Sequence, residues 1–180
     1  MTDEAGIGTG AKQPKGGSPG EIELQDILLL VGRLNYAWTN TESLLIHLIA
    51  GLAKVEKDVA VVIFLTLSTT RARTDLVDRL AKMPGFPKDK RDEILALTSG
   101  LMKEGALRNK YNHCIYSFDP EGGRIQTIMM RIHDRKDEIR VGKTETVNNA
   151  EVANIDACIS RLEKLNTKIW QTVQKFGFPI

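Results

Sequence analysis

Residues 27–55 read ILLLVGRLNYAWTNTESLLIHLIAGLAKV, and their periodicity indicates a helix. Apolar residues recur at alternating steps of four and three, with one interruption at Thr41. This spacing follows one face of an α-helix, whereas a half-buried strand would alternate at every second residue. The members of this first seam are Ile27, Val31, Leu34, Trp38, Leu45, Leu48, Leu52 and Val55. A continuous helix from Pro19 to Val55 would be about 55 Å long. The candidate kink points in it are Gly32, Asn40 and Gly51.

A second seam near the C-terminus predicts the last helix. Asn148 is a candidate helix cap with Glu151 three residues later, and Gly177 followed by Pro179 is typical of a helix end. Asn166 interrupts this seam once. Its members are Val152, Ile155, Ile159, Leu162, Ile169, Val173 and Phe176.

Two further helices are expected between the seams. The second helix should begin near Asp58 and end at Met83, because Pro84-Gly85-Phe86-Pro87 stops it. Its β-branched residues 59–63 favour a strand by propensity, but an apolar stripe continues through Leu65, Leu76, Val77, Leu80 and Met83. A third helix should run from near Lys88 to His113. Its inward residues would be Ile94, Leu97 and Leu101.

After His113 the sequence pattern indicates β-strands. Cys114–Phe118 and Arg124–His133 are predicted strands, separated by the turn signal Asp119-Pro120-Glu121-Gly122-Gly123. Ile139–Val141 is a candidate third short strand. The sequence therefore predicts a mainly α fold, a four-helix up-and-down bundle with a small β-hairpin inserted between helices 3 and 4.

Composition fits a single domain over residues 18–180. The chain has 180 residues and a net charge of +2, and a chain of this length needs no disulfide or metal to hold a core. Residues 1–17 contain five glycines and no aromatic residue, so a disordered tail is expected. The tail would end at Ser18-Pro19-Gly20-Glu21, which has the pattern of a capping box.

Several protein classes are excluded by the same composition. The longest apolar run, Val59–Leu65, has seven residues, whereas a helix that spans a bilayer needs about 20. The first residues lack the apolar stretch of a secretory signal, so a cytoplasmic location is expected. Cys114 and Cys158 have no metal-type spacing and should remain thiols there.

The segment best suited to a catalytic or anion-binding site is Arg108-Asn109-Lys110-Tyr111-Asn112-His113, at the end of the third predicted helix. Asn109 and His113 are four residues apart and share a helix face, and the long side chain of Arg108 can reach the same spot. A guanidinium group can donate two parallel hydrogen bonds to phosphate oxygens, and an imidazole can accept or donate a proton near neutral pH. The trio predicts a site for an anion such as phosphate. The alternative is an ordinary helix C-terminus, where cations are favoured by the helix dipole.

These residues resemble the signature of the HEPN superfamily, which is Arg, then Asn (or Asp or His), then three residues and His. Arg108, Asn109 and His113 match it, and the helical layout is similar from Ser18 to Gly177. The resemblance implies a homodimer whose motif helices face each other and a metal-independent endoribonuclease that needs no cofactor. Such proteins are often toxins of toxin–antitoxin or anti-phage systems, so an antitoxin or regulatory protein partner is also implied. The alternative within the family is a non-catalytic module that binds a nucleotide, RNA or a protein.

The resemblance also implies roles for the motif residues. His113 would act as general acid or base at the ribose 2′-hydroxyl and the leaving oxygen, and Arg108 would hold the scissile phosphate. Asn109 would orient either of these two side chains. A supporting polar residue on the first helix is expected by analogy. The candidates, among which the sequence does not choose, are Glu42, Asn40 and Asn35.

Weaker candidates for substrate contact surround the motif. Tyr111 and Tyr116 could stack on bases or pack inside the bundle. Arg71 and Arg73 could line the same cleft or face water, and Arg124 and Arg131 in the hairpin could guide a phosphate backbone or be ordinary solvated charges. No metal site is predicted, because the three histidines (His47, His113 and His133) are scattered.

Overall fold

The computed structural model describes residues 23–118 and 124–180. Within these ranges the chain is mainly helical with a small antiparallel sheet. The elements in chain order are α1 (Leu24–Ser43), α2 (Leu45–Ala53), α3 (Lys57–Thr66), α4 (Thr70–Ala81), α5 (Lys88–Asn112), β1 (Cys114–Phe118), β2 (Ile125–Arg135), β3 (Glu138–Thr146) and α6 (Asn149–Phe176). The predicted tail, the capping box at residues 18–21 and the turn at residues 119–123 lie outside the described residues.

The long first helix is divided at Leu44 into α1 and α2. The Leu44 N–H donates to the Thr41 carbonyl at 3.3 Å, a three-residue step that tightens the turn locally. The break therefore lies at none of the three predicted kink points. The second piece, α2, ends at Lys54, which adopts a left-handed conformation with φ of 55°.

The predicted second helix is also two helices, α3 and α4. Leu67 is extended, and the Thr69 hydroxyl caps α4 by accepting the Ala72 N–H at 3.1 Å. Arg73 Nε donates to the carbonyls of Phe64 and Leu67 at 3.1 and 2.9 Å, which satisfies acceptors left open at the end of α3. These local hydrogen bonds outweigh a continuous apolar stripe, which is why the single-helix prediction was wrong.

The third and last predicted helices are confirmed as α5 and α6. Asn148 caps α6 by accepting the Glu151 N–H at 3.0 Å, and Gly177 ends it with a φ of 65°. The sheet is larger than the predicted hairpin. Its strand order is β1-β2-β3, all antiparallel, and β3 covers Glu138–Thr146 rather than residues 139–141. The sequence of β3 is polar and alternating, so a search for runs of apolar residues finds only its short apolar part.

The core lies between the six helices, each of which contributes buried side chains to it. Trp38 of α1 packs against α5 at Gly105, where an added Cβ would lie only 3.1 Å from the indole ring. Glycine at this position therefore allows α1 and the motif-bearing helix to approach closely. The largest fully buried side chains include Leu34, Trp38, Leu101, Ile155, Leu162 and Ile169.

Candidate active site

One cleft of about 560 Å³ contains all three residues of the sequence motif. Its walls come from α1, from the segment that leads into α4, and from the C-terminal half of α5. The volume suits a small ligand or a segment of a larger one. Its lining residues are Trp38, Ser68, Thr69, Thr70, Arg71, Met102, Gly105, Ala106, Arg108, Asn109 and His113.

Arg108 lies half-buried at the wall of this motif cleft. Its guanidinium carbon is 5.5 Å from the centre of the Trp38 ring, and its Nη1 donates to Asn109 Oδ1 at 3.0 Å. Its Nε is buried and has no hydrogen-bond partner among the described residues. An unsatisfied buried N–H costs about 1–3 kcal/mol.

The Asn109 side chain contacts Arg108, and among the described residues its side chain forms no hydrogen bond with His113. His113 follows the last residue of α5, and its backbone N–H donates to the Asn109 carbonyl at 3.2 Å. Its ring is exposed and forms no hydrogen bond with another described residue. The imidazole is therefore accessible to a ligand from the solvent side.

Glu42 forms hydrogen bonds with residues that line the motif cleft. This carboxylate is only 8% exposed and pairs with Arg73 Nη1 at 2.9 Å. It also accepts a hydrogen bond from Thr70 Oγ1 at 2.6 Å and one from Trp38 Nε1 at 3.1 Å. Because Thr70 and Trp38 both line the cleft, Glu42 fixes two of its walls. Arg73 thus serves this network and does not line the cleft.

The other two candidates on the first helix are not in contact with the motif cleft. Asn35 Nδ2 donates to the Val31 carbonyl at 3.1 Å, within its own helix. Asn40 is exposed and lines a separate groove. Among the three candidates, Glu42 is the residue whose contacts reach the site.

The N-terminus of α4 opens onto the motif cleft, a feature that the sequence reasoning missed. Ser68-Thr69-Thr70 lies inside the predicted second helix, and its capping chemistry was the signal that could have revealed the break. A helix N-terminus carries a partial positive charge that favours anions. Arg71 adds a cation, since its side chain is 79% exposed and its ion pair with Asp75 is long, at 3.9 Å. The cleft therefore combines two guanidinium groups with a helix N-terminus.

Tyr111 and Lys110 face the sheet and α6 instead of the motif cleft. Tyr111 is 2% exposed and its hydroxyl donates to the Glu151 carboxylate, so of its two predicted roles the structure shows packing inside the bundle and leaves no exposed ring to stack on a base. Burial raises the pKa of Tyr111 above its usual range. Lys110 Nζ contacts Glu145 at 2.7 Å and Glu151 at 3.0 Å. The hydrogen bond from Lys110 lowers the pKa of Glu145 to about 2.

The remaining predicted contacts lie outside the cleft lining. Tyr116 of β1 is half-buried and its hydroxyl donates to the Tyr111 carbonyl at 2.9 Å. Arg124 is exposed at the residue before β2 and is absent from the lining. Arg131 belongs to β2, but its side chain lies outside the described part of the structure.

In comparisons with known proteins, no family model matches this chain, and no curated protein and no solved structure is significantly similar to it. Within residues 23–118 and 124–180, no group of three or more His, Cys, Asp and Glu side chains is arranged to hold a metal ion. No helix in these ranges is long and apolar enough to cross a membrane.

Proposed function

We propose that this protein is a HEPN-type, metal-independent endoribonuclease that cleaves RNA by attack of a ribose 2′-hydroxyl. The observation that carries the proposal is the motif cleft, where Arg108, Asn109 and His113 meet in about 560 Å³ of accessible space. Arg71 and the N-terminus of α4 increase its affinity for a phosphodiester. A phosphate oxygen in the cleft would accept hydrogen bonds from the terminal guanidinium nitrogens of Arg108, which lines it.

His113 and Arg108 divide the chemistry in this mechanism. His113 removes the proton of the 2′-hydroxyl, the 2′-oxygen attacks the adjacent phosphorus, and the bond from phosphorus to the 5′-oxygen breaks. The 5′-oxygen takes a proton from the imidazolium form of the second copy's His113, which leaves a 2′,3′-cyclic phosphate and a 5′-hydroxyl. Proton transfer from a positioned group contributes about 10²–10⁴-fold to the rate. Arg108 neutralises the charge that develops on the phosphate oxygens, while Asn109 holds its guanidinium in place.

The proposal includes a homodimer, as the HEPN resemblance implies. One histidine per subunit can serve as a base or as an acid in a single step, and a second copy would supply the opposite role. A protein partner that covers the cleft, such as an antitoxin, would then regulate the activity.

Incubation with a panel of structured RNAs in EDTA tests this proposal. We expect cleavage by the wild type and a loss of at least about 100-fold in His113→Ala and in Arg108→Ala. Asn112→Ala and Arg91→Ala are matched controls, because both residues lie on α5 outside the cleft lining. Equal cleavage by wild type and His113→Ala would contradict the mechanism.

One observation favours a second candidate function, that of a non-catalytic binding module. No described residue accepts or donates a hydrogen bond at the His113 ring, whereas a general base is ordinarily oriented by a partner. This candidate predicts RNA binding that depends on Arg108 without any turnover. A filter-binding measurement on the same variants, alongside the cleavage assay, separates the two functions.

A further inference from the structure

A second cavity of about 520 Å³ lies between α1 and α6, and we call it the α1–α6 groove. Ala37 and Thr41 face it from α1, whereas Trp38, about 100° further round the helix, faces the motif cleft. Thr41 and Asn166 are the residues that interrupt the two apolar seams of the sequence, and both line this groove. Thr and Asn are smaller than the Leu or Ile that would continue the seams, so both interruptions leave more space between α1 and α6.

Several polar side chains that line the groove form no hydrogen bond with other described side chains. The Thr41 hydroxyl is satisfied, because it donates to the carbonyls of Ala37 at 2.7 Å and Leu162 at 3.3 Å. In contrast, the amides of Asn40 and Asn166 and the carboxylate of Glu163 form no side-chain hydrogen bond or ion pair with another described residue. Their donors and acceptors are open to a ligand.

An aromatic ring stands at the rim of this groove. Tyr36 is 71% exposed, which is unusual for a residue with so much apolar surface. Arg33, also at the rim, is paired with Asp156 at 3.5 Å, so its charge is largely balanced. The unbalanced charge of the lining is the negative carboxylate of Glu163, which accepts hydrogen bonds and cannot donate them.

We propose that the α1–α6 groove binds a nucleobase that carries an amino group, such as adenine, guanine or cytosine. Glu163 accepts hydrogen bonds from the amino group, and the amides of Asn40 and Asn166 offer the paired donor and acceptor that read a base edge. Tyr36 supplies a stacking surface. The volume is that of a small-molecule site and exceeds what a single side chain from a partner would fill.

The base could come from a free nucleoside or from a single-stranded RNA, and its recognition would be the same in both cases. The proposal does not require the motif cleft to cleave RNA. It assigns a ligand to a different face of α1, and its failure would leave the cleavage test above unaffected.

Isothermal titration calorimetry with adenosine, guanosine, cytidine and uridine tests the groove. We expect the three amino-bearing nucleosides to bind, and uridine to bind about tenfold more weakly because it lacks the amino donor. Glu163→Gln should weaken adenosine binding about tenfold. Asn166→Leu should abolish binding because it removes the amide that reads the base edge, and the protein should remain folded because leucine continues the apolar seam of α6. Arg108→Ala should bind adenosine as tightly as the wild type does.

Two results would overturn the proposal. One is the absence of binding heat from every nucleoside at about 1 mM, which is the dissociation constant of a weak complex. The other is adenosine binding that persists in Asn166→Leu and disappears in Arg108→Ala, which would assign the base to the motif cleft. A short single-stranded oligoadenylate, titrated into Arg108→Ala so that the motif cleft does not contribute, distinguishes the two sources. Tighter binding than adenosine, lost in Asn166→Leu, would support RNA as the source, and equal affinity would support the free nucleoside.

Discussion

The six residues 108–113 divide between two faces of α5. Arg108, Asn109 and His113 line the motif cleft, whereas Lys110 and Tyr111 bond to β3 and α6. Helical spacing predicts that Asn109 and His113 share a face. It does not predict that Asn109 bonds to Arg108, because this contact depends on a choice of rotamers that periodicity does not encode.

Glu42 offers the sharpest test at the residue scale. Glu42→Gln removes the negative charge that compensates Arg73, whose side chain is mostly buried. Leaving one partner of such a pair uncompensated destabilises a protein by about 3 kcal/mol. We expect a lower free energy of unfolding of that order in urea titrations.

Glu163→Gln is the matched control for this change. The substitution is chemically identical, but Glu163 is exposed and forms no ion pair with a described residue. Its effect should stay within about 0.5 kcal/mol. Equal stabilities of the two variants would show that Glu42 contributes nothing beyond an ordinary surface carboxylate.

At the scale of elements, the ends of helices were harder to predict than their existence. The two seams identified the α1–α2 stretch and α6, and the spacing of Ile94, Leu97 and Leu101 identified α5, because burial of one face imposes a period that the sequence must carry. The division between α3 and α4 depends instead on the hydroxyl of Thr69 and on the hydrogen bonds of Arg73. Such contacts join single residues and leave the apolar period unchanged. The wall of the motif cleft formed by α4 was missed for the same reason.

The docking of the sheet on α5 should depend on pH through Glu145. The hydrogen bonds from Lys110 and then Lys143 lower the pKa of Glu145 from an ordinary value of 4.5 to about 2. A carboxylate with a lowered pKa stabilises the fold above its unfolded-state pKa, and this contribution is lost as the pH falls through the folded value. The loss should therefore occur between about pH 4.5 and pH 2.

Lys110→Met tests this coupling, because methionine keeps most of the apolar length and removes the charge. We expect amide hydrogen exchange in β3 to become faster at pH 6 and the decrease of stability between pH 4.5 and pH 2 to become shallower. Lys103→Met is the control, since Lys103 lies exposed on the same helix and forms no ion pair with a described residue. An unchanged acid limb in Lys110→Met would contradict the proposed coupling.

At the scale of the whole molecule, the C-terminal residues close the fold against α2. His47 Nδ1 is 2.8 Å from the Pro179 carbonyl and must carry the hydrogen in this bond, because a carbonyl accepts. The Phe178 N–H donates to the Val173 carbonyl at 3.0 Å, and the Phe178 ring lies against Gly51. The final residues therefore contact an element more than a hundred positions earlier in the chain. The sequence pattern predicted Gly51 only as a kink point, because a contact between residues so far apart in the chain leaves no local sequence pattern.

Two glycine substitutions measure what this closure contributes. A Cβ at residue 51 would overlap the Phe178 ring, so Gly51→Ala must displace that ring, and overpacking of this kind costs about 1–3 kcal/mol. A Cβ at Gly32 meets nothing within 4 Å, so Gly32→Ala should stabilise α1 by up to about 1 kcal/mol through helix propensity alone. Helix propensity favours alanine over glycine at both positions. Only the overlap with Phe178 can make the change destabilising at residue 51. We expect the melting temperature to fall in Gly51→Ala and to rise by a few degrees in Gly32→Ala. If both variants melt higher than the wild type, the C-terminal residues do not pack on α2 in solution.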